Sequence, residues 1–206
     1  RTSIPSTEPD RFHARPAACG PHPGVGQIAA GGSPSRTDQL ILEAATGARR
    51  LSLAELQEVL EHVARAGFDP NARERARGQL AGIVWQGQVL RGSTLLPPVE
   101  RHYLKHALVQ QEWPPGTTLD DYIRSIREVI LDPRSGVATR RFEGKAWQLT
   151  VVGPSGRWRG PDGGEWMLVD YRVETGHWMT GYQFKDDPEL ILREKASDLR
   201  WLRRPR

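Results

Sequence analysis

The chain has 206 residues, 37% of them hydrophobic, with 21 Gly, 16 Pro and a formal net charge of +4. That leaves room for one full domain and a smaller companion, but the chain is too lean in apolar residues to fold along its whole length, so a solvated tail is expected. No apolar run approaches the ~18 residues a membrane helix needs, and a lone cysteine, Cys19, excludes an internal disulfide framework and any multi-cysteine zinc site.

In chain order, residues 1–36 read as a disordered tail or linker. Pro5, Pro9, Pro16, Pro21, Pro23 and Pro34 interrupt any helix, and Gly24, Gly26, Gly31 and Gly32 add backbone freedom. His13, Cys19 and His22 lie there; a metal clip is conceivable, a solvated linker the plainer reading. Because the sequence opens on Arg1 rather than Met, it is read as a processed product or a piece of something longer.

Residues 37–96 read as a small helical module. A first helix ends near Gly47, and a second is announced by Ser52 and Glu55, an S-x-x-E capping box. Behind that box Leu53, Leu56, Val59, Leu60 and Val63 share one face, His62 flanks them, and Gly67 stops the helix. A charged third helix is expected over 71–80, then extended chain over 83–90 and a turn at Gly92.

Pro97 and Pro98 open the last part, 97–206. The spacing predicts a helix over 99–111, ended by Pro114-Pro115-Gly116, and a second helix capped by Thr118 and closed by Asp132-Pro133. Its stripe is Leu119, Tyr122, Ile123, Ile126 and Ile130. The period then changes to alternation over 137–142, 146–152, 165–173 and 177–184, with Gly-rich turns between. Short turns make hairpins, so the expected class is α+β: two helices followed by a four-stranded antiparallel meander. A short amphipathic helix from Asp187-Pro188 and a basic tail with Arg200, Arg203, Arg204 and Arg206 finish the chain.

The chemistry-bearing cluster lies on the helix after Pro98. His102, Lys105 and His106 fall at i, i+3 and i+4 and share a face. Imidazoles exchange protons near neutrality, and a neighbouring ammonium depresses their pKa. Three readings stay open: a polar face without a role, zinc binding through His-x-x-x-His, and acid–base or phosphate chemistry. The metalloprotease form of zinc binding needs Glu directly after the first His, where this chain has Tyr103.

Cations in the sheet region favour phosphate. Arg140, Arg141, Lys145, Arg157 and Arg159 face only Glu143 as a local counter-charge, and Trp147, Trp158, Trp166 and Trp178 lie among them. Cations interleaved with aromatics suit a polynucleotide, by phosphate pairing and base stacking. The plainer reading makes the tryptophans core and the arginines solvated; core suits Trp147 and Trp166, exposure suits Trp158. In the last strand Thr180 and Tyr182 point to one face.

This sequence of features resembles the barnase/EndoU/colicin/RelE-like (BECR-fold) ribonucleases, which recur as toxin domains of bacterial polymorphic toxins. The likeness rests on His102-x-x-Lys105-His106, on Thr118-Leu119-Asp120-Asp121-Tyr122 opening a helix, and on a meander ending in Thr180-Gly181-Tyr182. It spans about 99–184, under half the chain. The resemblance implies a metal-independent endoribonuclease without cofactor: the ribose 2′-oxygen attacks phosphorus, leaving a 2′,3′-cyclic phosphate. It further implies His102 or His106 as base or acid, Lys105 or Arg140 stabilising charge, and Thr180 holding a phosphate oxygen. Arg141, Lys145, Arg157, Trp158 and Arg159 would meet the RNA. A cognate immunity protein and delivery into a target cell as part of a larger protein belong to the same expectation. The departure is that no second histidine stands firmly in the sheet; His177 abuts a turn, so Tyr182 is the candidate replacement. The competing functions are a non-catalytic nucleic-acid-binding module and a protein-interaction scaffold.

Overall fold

The computed structural model describes residues 34–194 and 196–206, so the expectations placed on residues 1–33 lie outside it. Helix α1 (Arg36–Thr46) starts where Ser35 accepts from the Asp38 N–H and stops at Gly47, whose φ of 81° is the left-handed C-cap. Helix α2 (Leu53–Arg65) carries the full Ser52/Glu55 capping box. Both are amphipathic: α1 buries Leu40, Ile41 and Ala44, and α2 buries Leu56, Val59, Leu60 and Val63, while Leu53, expected on the same stripe, stands at the first turn and is 85% exposed.

No helix forms over 71–80. Asp69 Oδ1 accepts the Asn71 N–H, an Asx-type turn after which the chain extends. The segment holds β1 (Glu74–Arg75) and a single 3₁₀ turn. The expected extended run over 83–90 is a tight hairpin of β2 (Val84–Trp85) and β3 (Gln88–Val89). Gln86 and Gly87 form its turn, both at positive φ as a type I′ hairpin requires. Strand β4 (Leu95–Leu96) returns to pair antiparallel with β1.

Helix α3 (Pro98–Tyr103) then passes into a π-helical turn, Leu104–Val109. Helix α4 (Leu119–Leu131) has its own capping box, Thr118 with Asp121. Four hairpin-linked strands follow: β5 (Gly136–Phe142), β6 (Trp147–Pro154), β7 (Trp166–Arg172) and β8 (His177–Phe184). Helix α5 (Pro188–Glu194) precedes a fifth strand, β9 (Ala196–Arg203). The sheet is antiparallel in the order β8-β7-β6-β5-β9, so it has five strands where four are expected. The supposed basic tail is largely that fifth strand. Arg203 donates to Ser135 O and Arg204 pairs with Glu189, which makes these arginines structural.

One face of the sheet packs on the helices. Val137, Leu149, Val151, Val169 and Tyr171 join Leu40, Ile41, Leu60, Val63, Tyr122 and Ile126 in a single core, so the leading helices and the sheet share one interior. The other face carries a smaller cluster, Ala138, Val152, Leu168 and Phe184 under Leu192 of α5. The polar residues of the strands also lie on this second face. Cross-strand register puts Arg140, Gln148, Arg172 and His177 in one row and Ala138, Thr150, Asp170 and Thr180 in the next.

The free edge of β8 is covered by side chains and loops. Tyr122 Oη–H donates to Gly181 O, Trp178 N–H donates to Gly67 O, and Gln183 N–H donates to a carboxylate, Glu112 Oε2. An uncovered edge would be a template for pairing with another chain. Gly181 suits the close approach there: a Cβ would stand 2.7 Å from Ile126 Cδ1, so any side chain would push Ile126 of α4 away from the edge between Thr180 and Tyr182.

Candidate acid–base site at the sheet edge

Helix α3 crosses the edge of β8, and this crossing brings the helix cluster and the Thr-Gly-Tyr strand together. His102 and His106 stack face to face, centroids 5.9 Å apart and planes 5° from parallel. Phe68 stacks on the outer side of His102 and Tyr182 on the outer side of His106, at 5.3 Å and 5.7 Å. His102 Nδ1 lies 3.5 Å from Thr180 Oγ1, a long contact. Both imidazoles are interior, 6% and 4% exposed.

A residue the sequence does not advertise completes the cluster. Glu112, itself 8% exposed, places Oε1 2.9 Å from His106 Nδ1 while Oε2 accepts the Gln183 N–H at 2.7 Å. A carboxylate only accepts, so Nδ1 of His106 carries the proton and Nε2 keeps its lone pair. Nε2 makes no hydrogen bond to any described residue. Glu112 is held in turn by the β6–β7 loop, whose Gly160 N–H donates to its carbonyl at 2.7 Å.

The electrostatics follow from burial. Desolvation drives His102 down to about 2, with Arg101, His106, Lys105 and Arg77 adding repulsion. Burial also holds His106 below the ordinary imidazole range, but Glu112 opposes it through both its hydrogen bond and its charge. Lys105, half-buried, is lowered by desolvation and then by Arg101. Tyr182 is pushed up to about 12, chiefly by burial and then by Asp170. At neutral pH the site therefore holds two neutral imidazoles, a carboxylate that orients one of them, and a protonated phenol. A neutral imidazole accepts a proton; a phenol or an ammonium returns one.

Arg140 is committed elsewhere. Its Nη2 donates to both oxygens of Asp170 at 3.1 Å and 2.9 Å, and its Nε donates to Thr150 Oγ1 at 3.0 Å. Thr150 Oγ1–H donates to Asp170 at 2.5 Å. This buried triad braces the polar sheet face, so Arg140 positions rather than contacts. Beside it Gln148 Oε1, Arg172 Nε and His177 Nδ1 are buried with no hydrogen-bond partner among the described residues.

The five residues expected to meet RNA do not converge. Arg141 and Lys145 stand at one end of β6; Arg157, Trp158 and Arg159 stand at the other. Strand β6 has eight residues, which at ~3.3 Å each separates the two groups by roughly 23 Å. Three of these four cations are also compensated. Lys145 pairs with Glu143, Arg157 with Glu128 at 2.5 Å, and Arg159 with Glu165 at 3.5 Å. Glu128 comes from α4 and Glu165 lies beyond Gly160, so neither counter-charge is visible in the local run. Trp158, expected exposed, is half-buried against the core with its indole N–H on Glu128, and Trp147 and Trp166 are likewise half-buried. Trp178 is the tryptophan of the four that is fully interior.

Glu112 and Asp170 escape the sequence reading for different reasons. Glu112 sits in a Pro-terminated breaker six residues past His106, off any helical spacing. Asp170, alone among Met167, Leu168, Val169 and Tyr171, did carry a signal: a carboxylate inside an apolar strand must be paired.

The fold and site together define a class: an α+β domain with a polar sheet face and an imidazole–carboxylate pair at its edge. The chain matches no family model, no curated protein and no solved structure. Among the described residues no three His, Cys, Asp or Glu side chains converge as a metal site, and no helix is long and apolar enough to cross a membrane.

Proposed function

We propose that this chain is a metal-independent endoribonuclease of the BECR kind, cleaving RNA by transphosphorylation. The observation that carries the reading is the buried Glu112–His106 pair, 2.9 Å apart, in which His106 Nε2 makes no hydrogen bond to any described residue, with the Tyr182 ring stacked on the imidazole and Lys105 the preceding residue. His106 Nε2 removes the ribose 2′-proton, and the 2′-oxygen forms a bond to phosphorus as the P–O5′ bond breaks. The departing 5′-oxygen takes a proton from Tyr182 or Lys105, leaving a 2′,3′-cyclic phosphate and a 5′-hydroxyl. Lys105 also meets the charge that builds on the phosphorane. His102, neutral throughout the physiological range, orients the stack and Thr180 rather than donating a proton. RNA as substrate, a cognate immunity protein as partner, and delivery as part of a larger protein belong to this proposal.

The test is incubation with total RNA in EDTA, followed by end-group analysis. Cyclic phosphate ends produced by the wild type and lost with His106→Ala support the reading; activity that EDTA abolishes overturns it. The burial of both imidazoles favours a second reading, a nucleic-acid-binding module in which the ring stack is structural. In that case RNA binds, is never cut, and His106→Ala binds it as well as the wild type.

A further inference from the structure

Strand β1, the turn after β3 and the first turns of α3 enclose an open cleft of about 740 Å³, lined by Glu74, Arg75, Arg77, Gly78, Gly92 and Arg101 among others. Its volume falls within the roughly 300–1,000 Å³ of ligand-binding clefts. The charge balance of this cleft is lopsided. Arg101 pairs with Glu74, while the side chains of Arg75 and Arg77 are exposed and make neither ion pair nor hydrogen bond to any described residue. Lys105 lies one turn along the helix from Arg101, close enough that Arg101 and Arg77 both repel its charge. Like charges gathered this way repel one another, and an anion seated among them relieves the repulsion. Guanidinium forks match the geometry of phosphate oxygens. The cleft also abuts the proposed reaction centre, since Arg101 directly precedes His102 in sequence and Arg77 acts on the same imidazole.

We propose that this cleft binds consecutive phosphates of a single-stranded polynucleotide, with Arg75 and Arg77 as the contacting groups and Arg101, held by Glu74, and Lys105 flanking them. The proposal deepens the ribonuclease reading by naming where the backbone enters. Sequence inspection does not single this cleft out. Arg75 and Arg77 lie in a segment that reads as a charged helix, and Arg101 reaches them only because β1 pairs with β4 just ahead of α3.

The test uses the whole chain and a fluorescently labelled 2′-O-methyl oligouridine, which lacks the nucleophilic hydroxyl and cannot be cut by transphosphorylation. Its affinity is followed by anisotropy across a salt series. Each single-strand phosphate contact contributes roughly 0.7 to the log–log slope, so Arg75→Gln/Arg77→Gln is expected to lower the slope by about 1.4. The same double variant should bind about tenfold more weakly at low salt, the equivalent of ~1.4 kcal/mol. Glu74→Gln, which frees Arg101 from its partner, is expected to bind more tightly. Circular dichroism checks that each variant keeps its fold. An unchanged slope in a folded double variant overturns the proposal, as does a wild type that does not bind the probe. Binding through the cleft with unmodified RNA left uncut supports the cleft while removing the nuclease reading, so the two can fail separately.

Discussion

The loop between β6 and β7 and the cleft beside α3 each gather arginines, but their surroundings differ. In the loop, Arg157 lies over the Trp158 ring at 4.7 Å and pairs with Glu128, and Arg159 pairs with Glu165. In the cleft, Arg75 and Arg77 find no counter-charge among the described residues, and Arg101 has one. The loop is basic only along the sequence; the cleft is basic only in space. The loop's contacts also run inward. Gly160 N–H donates to Glu112 O, Asp162 N–H to Gln111 O, and Gln183 Nε2–H to Trp158 O. The loop thus buttresses the carboxylate that holds His106, while the cleft lies open to a ligand. A charge run becomes a binding surface only when tertiary neighbours leave it unpaired.

The largest effect expected from this contrast is on cleavage. General acid–base catalysis is worth about 10²–10⁴-fold, so His106→Ala should lose that much RNA cleavage while oligonucleotide affinity, set by the cleft, stays near wild type. Glu112→Gln should lose activity too, because the amide lacks the charge that fixes the His106 tautomer. If both variants cut RNA at the wild-type rate, the imidazole–carboxylate pair is structural and the base must be sought on the polar sheet face.

Next in size is a stability effect that isolates the buttress. A Cβ on Gly160 would overlap the carbonyl oxygens of Trp113 and Gln111, which are backbone atoms that cannot swing aside. Forced overpacking of this kind costs roughly 1–3 kcal/mol. Gly160→Ala should therefore lower the denaturation midpoint and, by displacing Glu112, also reduce cleavage. Gly156, in the same loop, has open space where its Cβ would be, but its φ of 52° strains any side chain, so Gly156→Asn is the gentler control. Equal losses from the two variants would mean that the loop does not position Glu112.

The His102 ring gives a pH test of similar scale. Its pKa falls from an ordinary 6.5 to about 2 on folding, so the unfolded chain binds the proton first. Stability is therefore complete above pH ~6.5 and is lost as pH falls from there toward 2. By pH 5 the loss from His102 alone amounts to roughly 2 kcal/mol, and His106, shifted in the same direction, adds to it. His102→Gln should flatten the slope between pH 7 and 5 in denaturant titrations. An unaltered slope would mean that the ring is protonated in the folded protein. The lowered pKa of His106, the proposed base, moves the acid limb of the cleavage profile below the ordinary histidine range rather than centring the profile near neutrality.

Much of this architecture was legible because it is local. The capping boxes at Ser52/Glu55 and Thr118/Asp121, the Pro and Gly breaks and the strand segments between 136 and 184 are read over a few residues; the structure has strands there, mostly buried on both faces and part of a five-stranded sheet. Strand β9 was not, since Arg200, Arg203 and Arg204 look like a solvated tail until β5 offers them a partner. The helix expected over 71–80 failed because charge density alone has no apolar stripe to bury. The site followed the same rule. His102, Lys105 and His106 are one helical turn and could be grouped by spacing, and parity put Thr180 with Tyr182. Glu112, Asp170 and the arginine cleft depend on pairings between distant segments, which no window on the sequence contains.

The smallest expected effect bears most directly on the comparison. Replacing both Arg157 and Arg159 with Gln removes two cations from the stretch that, along the sequence, reads as the RNA-binding run. Each is already paired with an exposed glutamate, and surface pairs of this kind are worth about 0–1 kcal/mol. Stability should therefore fall by no more than ~2 kcal/mol for the two pairs together, and the salt slope of oligonucleotide binding should not move, since a guanidinium held by a carboxylate releases few counterions from a phosphate. Had both arginines contacted the backbone, the slope would fall by about 1.4, the same change expected for the Arg75/Arg77 pair. The two double variants measured side by side thus form a matched experiment: equal charge removed, similar exposure, different pairing. A slope that falls in the loop variant and holds in the cleft variant would reverse the assignment and return the RNA to the β6–β7 end of the sheet. A fall in both would mean that the backbone wraps from one region to the other, past the His106 edge.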